Sequence, residues 1–224
     1  YTSSADITRW NGAEYEYALT AEDVASDECW YVWVPVFDGT VYMEDGSVTI
    51  TETGITQGSM TAEYAFTGDY ILTQRDSATA VDSTIIVESG THDVALNGLN
   101  LNSESDKITV LNSATVIFTG SENTFYSTGV YYFINNYGNT IFTDGKYTII
   151  GDEGKGRGIG NQENAFMTLS GGSYELGIYN GIAAQSCFCS IFNDGTLNID
   201  GGTFVCGSQR TILNNKTGIL KISD

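Results

Sequence analysis

The sequence predicts an all-β protein, a parallel β-helix or β-solenoid of about six coils with a β-rich cap region at its N-terminus. Three observations favour this fold class. From about residue 80 onward, short apolar runs alternate with Gly, Asn, Asp, Ser and Thr, and no window there has helical periodicity. Several of these segments repeat along the chain. The 224 residues include a single proline, as a continuous parallel ladder requires, because proline has no amide N–H to donate.

The repeat is clearest between two segments of equal length. Leu169–Leu176 matches Ile199–Cys206 position by position at an offset of 30, and Phe142–Ile149 fits the same frame. We expect the first residues of all copies to stack into one apolar column inside the solenoid. The expected column comprises Leu96, Phe118, Phe142, Leu169, Ile199 and Ile222.

An asparagine column repeats in phase with the apolar column. Its members are Asn112, Asn135, Asn161, Asn193 and Asn214. Stacked asparagine side chains hydrogen-bond along such a ladder, and asparagine tolerates the positive φ that corners require. Some repeats are longer than a minimal coil, and we expect the surplus to form projecting loops at Gly151–Gly160 and Ile178–Cys189.

Residues 1–80 do not follow the repeat, so we predict a boundary near residue 80. Residues 1–80 form either a β-rich cap or irregular first coils, and residues 81–224 form the solenoid repeat domain. In the first part, Cys29–Val36 is a strongly apolar candidate strand, and Asp45-Gly46 between apolar runs indicates a hairpin.

The two ends of the sequence also carry expectations. The chain begins at Tyr1, which we interpret as the start of a processed or excised chain, and it stops at Asp224 inside the repeat. An uncovered parallel edge pairs readily with another strand. We therefore expect either further residues of the natural protein or another copy to cover the last coil.

Lysine and arginine are scarce in this chain. It carries 28 acidic and 9 basic residues, a net charge of −19, yet only 17% of its residues are charged, against about 25% in a typical globular chain. This composition excludes a basic nucleic-acid-binding face and attraction to anionic lipid. No apolar run approaches the roughly 18–20 residues that span a bilayer. We expect no nucleic-acid partner and no membrane span.

The four cysteines favour an oxidising, extracellular setting for so acidic a chain. They are Cys29, Cys187, Cys189 and Cys206. Consecutive coils lie within disulfide reach, so we favour a bond from Cys187 or Cys189 to Cys206. The remaining thiols would bond each other or another subunit. A metal site is less favoured, because Cys-x-Cys is not the usual zinc spacing.

Catalysis is not expected. We interpret His92 as a solvent-facing residue of a turn, and Asp152 and Glu153 are sequence neighbours that point apart. Lys155 and Arg157, in the glycine-rich loop, suit a contact with an acidic surface of another copy. We expect no catalytic residue, no metal and no cofactor. Structural calcium stays open as an alternative in so acidic a chain, although no loop presents calcium ligands at alternate positions to support it.

Tyrosines are concentrated in one stretch of the solenoid: Tyr126, Tyr131, Tyr132 and Tyr137. Three interpretations remain open for this stretch. The rings could form a stacking face for sugars, a ladder of tyrosines from adjacent coils, or a contact between subunits.

The repeat over Ser190–Phe204 resembles repeats of secreted β-helical surface proteins of bacteria and archaea. Asp93–Leu101 looks like the first coils of carbohydrate-binding β-helix domains. The whole profile, acidic, cysteine-bearing and rich in glycine and tyrosine, is similar to sheath proteins of methanogenic archaea. That resemblance implies β-stacked polymers cross-linked by disulfides.

These features favour a secreted, non-enzymatic structural protein of a cell envelope, either a sheath or a surface layer. It would self-assemble with other copies through open β-edges and disulfides. The main alternative is a cell-surface adhesin or carbohydrate-binding β-helix module with polysaccharide as its partner. A polysaccharide-degrading enzyme is a third and weaker hypothesis.

Overall fold

The computed structural model describes residues 37–60, 63–102, 104–127, 131–151, 157–179, 182–183, 189–206 and 211–223. Residues 1–40 and 41–224 form two compact units, and nearly all described residues belong to the second. One short 3-10 turn covers Met43–Asp45. The strands are β1 (Thr40–Tyr42), β2 (Val48–Ile50), β3 (Gly54–Gln57), β4 (Tyr64–Ala65), β5 (Tyr70–Thr73), β6 (Ile85–Asn97), β7 (Asn100–Leu101), β8 (Ile108–Gly120), β9 (Glu122–Ser127), β10 (Tyr132–Asn136), β11 (Asn139–Phe142), β12 (Lys146–Gly151), β13 (Arg157–Asn161), β14 (Phe166–Leu169), β15 (Ser173–Tyr179), β16 (Ile182–Ala183), β17 (Cys189–Asn193), β18 (Thr196–Ile199), β19 (Thr203–Cys206), β20 (Ile212–Asn214) and β21 (Ile219–Ile222).

The strands stack in parallel along three faces of one solenoid. The first face comprises β6, β8, β10, β13, β17 and β20, the second β6, β8, β11, β14, β18 and β21, and the third β7, β9, β12, β15 and β19. Strands β6 and β8 have 13 residues each and turn a corner, so they belong to two faces. Since the third face takes one strand from each turn, about 5 turns are complete, and β20 and β21 begin another. The predicted fold class is confirmed.

The predicted apolar column lies inside the second face. The residues in register on successive strands are Phe118, Phe142, Leu169, Ile199 and Ile222. The rings of Phe118 and Phe142 stack with their centroids 5.0 Å apart. Each turn therefore buries its apolar side chains against the next turn, since a single coil is too thin to bury them alone.

Leu96 is the exception in this column. It pairs with Gly120, whereas Val94 lies opposite Phe118. The expectation for Leu96 is therefore wrong by two residues. Both Val94 and Leu96 are buried, because they share the inward side of one strand, and alternation alone does not distinguish them.

A ladder of aromatic rings fills the interior behind the third face. Tyr174 stacks on Tyr147 with centroids 5.3 Å apart and on Phe204 with centroids 4.8 Å apart. The register places Tyr174 opposite both rings, which confirms the repeat. Gly172 turns the preceding corner at φ +90°, and a Cβ there would lie 2.8 Å from the carbonyl oxygen of Gly145. The corner therefore needs glycine.

An asparagine ladder runs through the corner between the first and second faces. Asn136 donates through Nδ2 to Oδ1 of Asn161 at 2.8 Å, Asn161 donates to Asn193 at 2.8 Å, and Asn193 donates to Asn214 at 2.6 Å. The same Nδ2 groups donate to carbonyl oxygens of the following turn, for example Asn161 to Thr196 at 3.0 Å. The ladder thus satisfies buried polar groups along the solenoid axis.

Two of the asparagines predicted for this ladder, Asn135 and Asn112, are wrong. Asn136, rather than Asn135, is in register with Asn161, and Asn135 lies opposite Gly160 with its side chain in other contacts. On the preceding turn Val110 occupies the ladder position, so Asn112 is not a member. A pair of adjacent asparagines leaves a one-residue ambiguity that only the strand pairing resolves.

The two expected loops are partly strand. Arg157 to Gly160 belong to β13, which pairs with β10 and β17, whereas 152–156 lie outside the described residues. In the second surplus segment, Ile178 pairs with Ala183 and Tyr179 with Ile182 in an antiparallel bridge between β15 and β16.

The first turns, between residues 40 and 80, differ from the regular coils. Strand β2 runs parallel to β6 and antiparallel to β3, which in turn pairs with β4, and β5 pairs with β6 and β1. The expected hairpin at Asp45-Gly46 is wrong, because β1 and β2 pair with different strands. Arg75 ties this region together through two hydrogen bonds to the Asp45 carboxylate at 2.8 and 2.9 Å. The candidate strand at Cys29–Val36 lies outside the described residues.

Candidate functional site

Tyr132 and Arg157 form a cation–π pair on successive strands of the first face. The guanidinium carbon of Arg157 lies 5.1 Å from the centroid of the Tyr132 ring, and Nη1 donates to the phenol oxygen at 2.9 Å. Gly160 leaves room for this ring, since a Cβ on Gly160 would lie 2.8 Å from it. The pair therefore depends on a glycine of the segment expected to be a loop.

Asp106 and Asn135 organise the polar groups beside this pair. Asp106 accepts hydrogen bonds from the Tyr132 amide and from Asn135 Nδ2, both at 2.7 Å. Asn135 Oδ1 accepts from Gln162 Nε2 at 2.5 Å, and its Nδ2 also donates to the Tyr137 hydroxyl at 3.2 Å. We call this set the tyrosine cluster, consisting of Asp106, Tyr132, Asn135, Tyr137, Arg157 and Gln162.

The structure brings together some of the tyrosines that the sequence singled out. Tyr131 and Tyr137 are 38% and 40% exposed, so their rings are accessible to a ligand. Tyr132 is buried, with the guanidinium of Arg157 over it. Tyr126 lies on the third face, opposite Ile150. Lys155 lies outside the described residues.

A buried lysine adjoins the tyrosine cluster and was not predicted. Lys107, directly before β8, is 0% exposed, and its Nζ donates to the Ser105 carbonyl oxygen at 2.7 Å. Burial lowers the pKa of Lys107 to about 8, while the charges of Asp106 and Asp82 act in the opposite direction. Its local sequence, Ser-Glu-Ser-Asp-Lys, is typical of an exposed loop, so no local signal identifies it.

The expectation for His92 is wrong. His92 lies within β6 opposite Val116 and is buried. Its Nε2 lies 2.8 Å from the Ser89 carbonyl oxygen, and its ring packs edge-on to Tyr70 with the centroids 5.7 Å apart. Gly90, two residues earlier, adopts φ +86° where β6 turns its corner, and beyond that corner His92 shares the inward side of the strand with Val94 and Leu96.

Cys206 is the cysteine whose side chain the structure describes. Cys206 is a half-buried free thiol on β19, opposite Leu176, so the favoured bond to it is not formed. Burial raises the pKa of this thiol, and a hydrogen bond with Ser190 acts in the opposite direction. Cys29 and Cys187 lie outside the described residues. Cys189 begins β17 on the first face, opposite Arg157.

The last rung, residues 211–223 with β20 and β21, exposes apolar side chains that earlier turns bury. In the inner column, Phe142 and Leu169 are 0% exposed, Ile199 is 8% exposed and Ile222 is 66% exposed. Ile219 on the outer side of β21 is 53% exposed. Within the described residues, β20 and β21 pair on one side only, with β17 and β18.

Three further observations bear on the function classes. Nowhere in the described segments do three or more His, Cys, Asp or Glu side chains form a group able to hold a metal ion. The described part of the chain also has no helix long and apolar enough to span a membrane. Comparison with known proteins finds no matching family model, no similar curated protein and no similar solved structure.

Proposed function

We propose that this chain is a secreted, non-enzymatic structural protein of a cell envelope, either a sheath or a surface layer, whose copies associate through the last rung. The observation that carries the proposal is the change in exposure along the inner column, from 0% at Leu169 to 66% at Ile222. Covering a side chain of this size is worth about 1.5–3 kcal/mol. A further rung in register supplies that cover, and each copy contains rungs of the required geometry.

The ladder groups support the same proposal. Asn193 donates through Nδ2 to Asn214 of the next turn and to the Ile219 carbonyl oxygen. Asn214 donates instead to Gly218 of its own turn at 2.8 Å. A strand added to this edge would complete the pattern of the earlier turns, as exposed β-edges do when they pair with another chain.

The experiment measures the molar mass of the complete natural protein by light scattering across a concentration series. Association through a second copy makes the mass concentration-dependent, and Ile222→Gln raises the dissociation constant about tenfold or more. Asn215→Gln, on an exposed turn of the same rung, is the matched control and leaves association unchanged. A covering strand from the same chain would leave a monomer at every concentration and overturn the proposal.

Disulfides would lock such an assembly. Cys206 lies on the last complete turn as a free thiol, and the chain has three further cysteines. Non-reducing electrophoresis of protein isolated from its native surface should show multimers that collapse with reductant. A protein that runs as a monomer without reductant would contradict the cross-linking part of the proposal.

A specific observation also favours a second candidate, glycan binding by an adhesin or carbohydrate-binding module. Tyr137 is 40% exposed and its hydroxyl accepts a hydrogen bond from Asn135, which Gln162 contacts in turn, and sugars bind through aromatic stacking combined with planar polar groups. On a glycan array, Tyr137→Ala should lose at least tenfold in apparent affinity. Tyr126→Ala, on the third face, should retain binding. Equal losses in both variants, or no glycan bound by the parent, would remove this candidate.

A further inference from the structure

One asparagine motif lies beside the asparagine ladder without belonging to it. Asn215-Lys216-Thr217 is the single Asn-x-Ser/Thr triplet in the 224 residues, and such a triplet accepts an N-linked sugar in exported proteins. It sits in the turn between β20 and β21, directly after Asn214. A glycan at this position requires that the folded chain leave the Asn215 side chain in solvent.

The turn that holds the motif, residues 215–218, repeats an earlier corner of the solenoid, residues 162–165. Each inserts four residues between a strand of the first face and a strand of the second face, whereas two other corners of this edge insert two. In each long turn the amide of the fourth residue donates to the carbonyl oxygen of the first, at 3.0 Å in the earlier turn and at 3.1 Å in the later one. The two long turns therefore share one geometry.

The earlier turn shows how much of this corner stays in solvent when further coils follow. Glu163 and Asn164 are exposed, and Gln162 is half-buried, although complete turns lie on both sides of them. In the later turn all three residues of the motif are exposed. A further coil beyond the last rung would therefore leave Asn215 accessible in part, as Gln162 is.

Asn215 differs from the ladder asparagines in the contacts of its side chain. Asn161 and Asn193 are buried, and their amides bond the neighbouring turns. Asn214 accepts from Asn193 and donates to the Gly218 carbonyl oxygen at 2.8 Å. Asn215 is anchored through its backbone, since its amide N–H donates to the Asn193 carbonyl oxygen at 2.8 Å, and the residue is exposed. A sugar on Nδ2 of Asn215 therefore breaks no bond of the ladder.

We propose that Asn215 carries an N-linked glycan, added while the chain is exported. This inference rests on the secretion in the proposed function and adds a modification site to it. The donor is a sugar joined through phosphate to a polyprenol lipid. Nδ2 of Asn215 bonds to the anomeric carbon of the sugar as the bond from that carbon to the phosphate oxygen breaks. The lipid phosphate leaves with the bonding electrons, and one Nδ2 proton passes to a base of the transferring enzyme.

Thr217 supplies the hydroxyl group that the motif requires. In the folded protein this hydroxyl donates to the Asp194 carboxylate, which ties the turn to the preceding corner. Transfer therefore precedes folding of this corner, and the folded structure has to accommodate the sugar afterwards. It does so because the turn projects sideways, between two faces whose strands pair along the solenoid axis.

Mass spectrometry of the protein secreted by its native organism is the test. In most molecules the peptide containing Asn215 should be heavier than its sequence by whole sugar residues, and Thr217→Val should abolish this added mass. Thr217→Ser keeps the hydroxyl group and should retain the sugar. Asp194→Ala removes the hydrogen-bond partner of Thr217 but leaves the motif, so it should retain the sugar as well. Asn164→Gln, in the equivalent turn without a motif, is the matched control.

The outcomes separate this inference from the proposed function. An unmodified Asn215 in the secreted protein overturns the inference and leaves the proposed function standing. Added mass that survives Thr217→Val shows that the sugar lies elsewhere, which overturns the inference too. If the protein is found only inside the cell, the proposed function fails and the inference fails with it.

Discussion

Asn161 donates its Nδ2 hydrogen to Oδ1 of Asn193 across 2.8 Å, and also to the Thr196 carbonyl oxygen at 3.0 Å. Each bond connects one turn of the solenoid to the next, and both lie in the buried corner between the first and second faces. Asparagine suits this position because one planar amide donates to the following turn and accepts from the preceding one. The ladder therefore fixes the register of successive turns.

Removing one ladder amide should destabilise the solenoid. Asn161→Ala leaves groups on the turns of Asn136 and Asn193 without partners, at a cost of about 1–3 kcal/mol for each buried group. We expect urea unfolding to give a free energy of unfolding lower by about 2–4 kcal/mol. Asn139→Ala, on the outer side of β11, is the matched control and should change the value by less than about 0.5 kcal/mol. Equal losses of stability in the two variants would contradict a stabilising role for the asparagine ladder.

The stacked tyrosines provide a second test, because their hydroxyl groups differ. Tyr147 donates to the Asp144 carbonyl oxygen at 2.8 Å, whereas the buried Tyr174 hydroxyl has no hydrogen-bond partner. Tyr147→Phe should lower the free energy of unfolding by about 1 kcal/mol. Tyr174→Phe should raise it by about 1 kcal/mol, since it removes a buried unsatisfied group. The two variants lose the same atom, so each is the control for the other, and changes of the same sign would contradict the prediction.

Lys107 should make stability depend on pH. The pKa of Lys107 is about 8 in the folded protein, and the ordinary pKa of a lysine side chain is 10.5. Between these two pH values the unfolded chain holds a proton that the folded chain has released. The free energy of unfolding therefore rises with pH through this window, and below pH 8 the penalty is constant. We expect Lys107→Met to be more stable than the parent at pH 7, by an amount on the order of 3 kcal/mol, and to lose this advantage by pH 10.5.

The control for Lys107 is Lys146, which is exposed and lies 3.5 Å from the Glu122 carboxylate. Lys146→Met makes the same side-chain change at an exposed site, and it should not give the gain in stability at pH 7 that burial predicts for Lys107→Met. Urea unfolding of all three proteins across this pH range gives the comparison. A difference between Lys107→Met and the parent that stays constant from pH 7 to pH 10.5 would contradict the burial argument.

Much of the fold follows from the sequence because the repeat itself encodes the strand register. The match between Leu169–Leu176 and Ile199–Cys206 reappears as four paired positions on β15 and β19. Periodicity is less informative where neighbouring residues are chemically alike, as with Asn135 and Asn136. It is also less informative where two inward positions of one strand are both apolar, as at Val94 and Leu96.

The candidate site was only partly predictable, since it depends on which side chains share a face. Tyr126 and Tyr132 are close in sequence but lie on different faces. His92 and Lys107 stand in polar local sequences, and only the packing of successive turns shows that they are buried. Their environment is a tertiary property that no spacing within one coil reveals.

Gly160 and Tyr132 provide the last test, a double-mutant cycle on the tyrosine cluster. Gly160→Ala places a methyl group 2.8 Å from the Tyr132 ring, so the ring must move and its contact with Arg157 is lost. We expect a loss of about 1–3 kcal/mol in the free energy of unfolding, as overpacking costs elsewhere. In a Tyr132→Ala background the methyl group meets no ring, and the same substitution should cost less than about 0.5 kcal/mol. Equal costs in both backgrounds would show that Gly160 is required by its backbone and not by the ring of Tyr132.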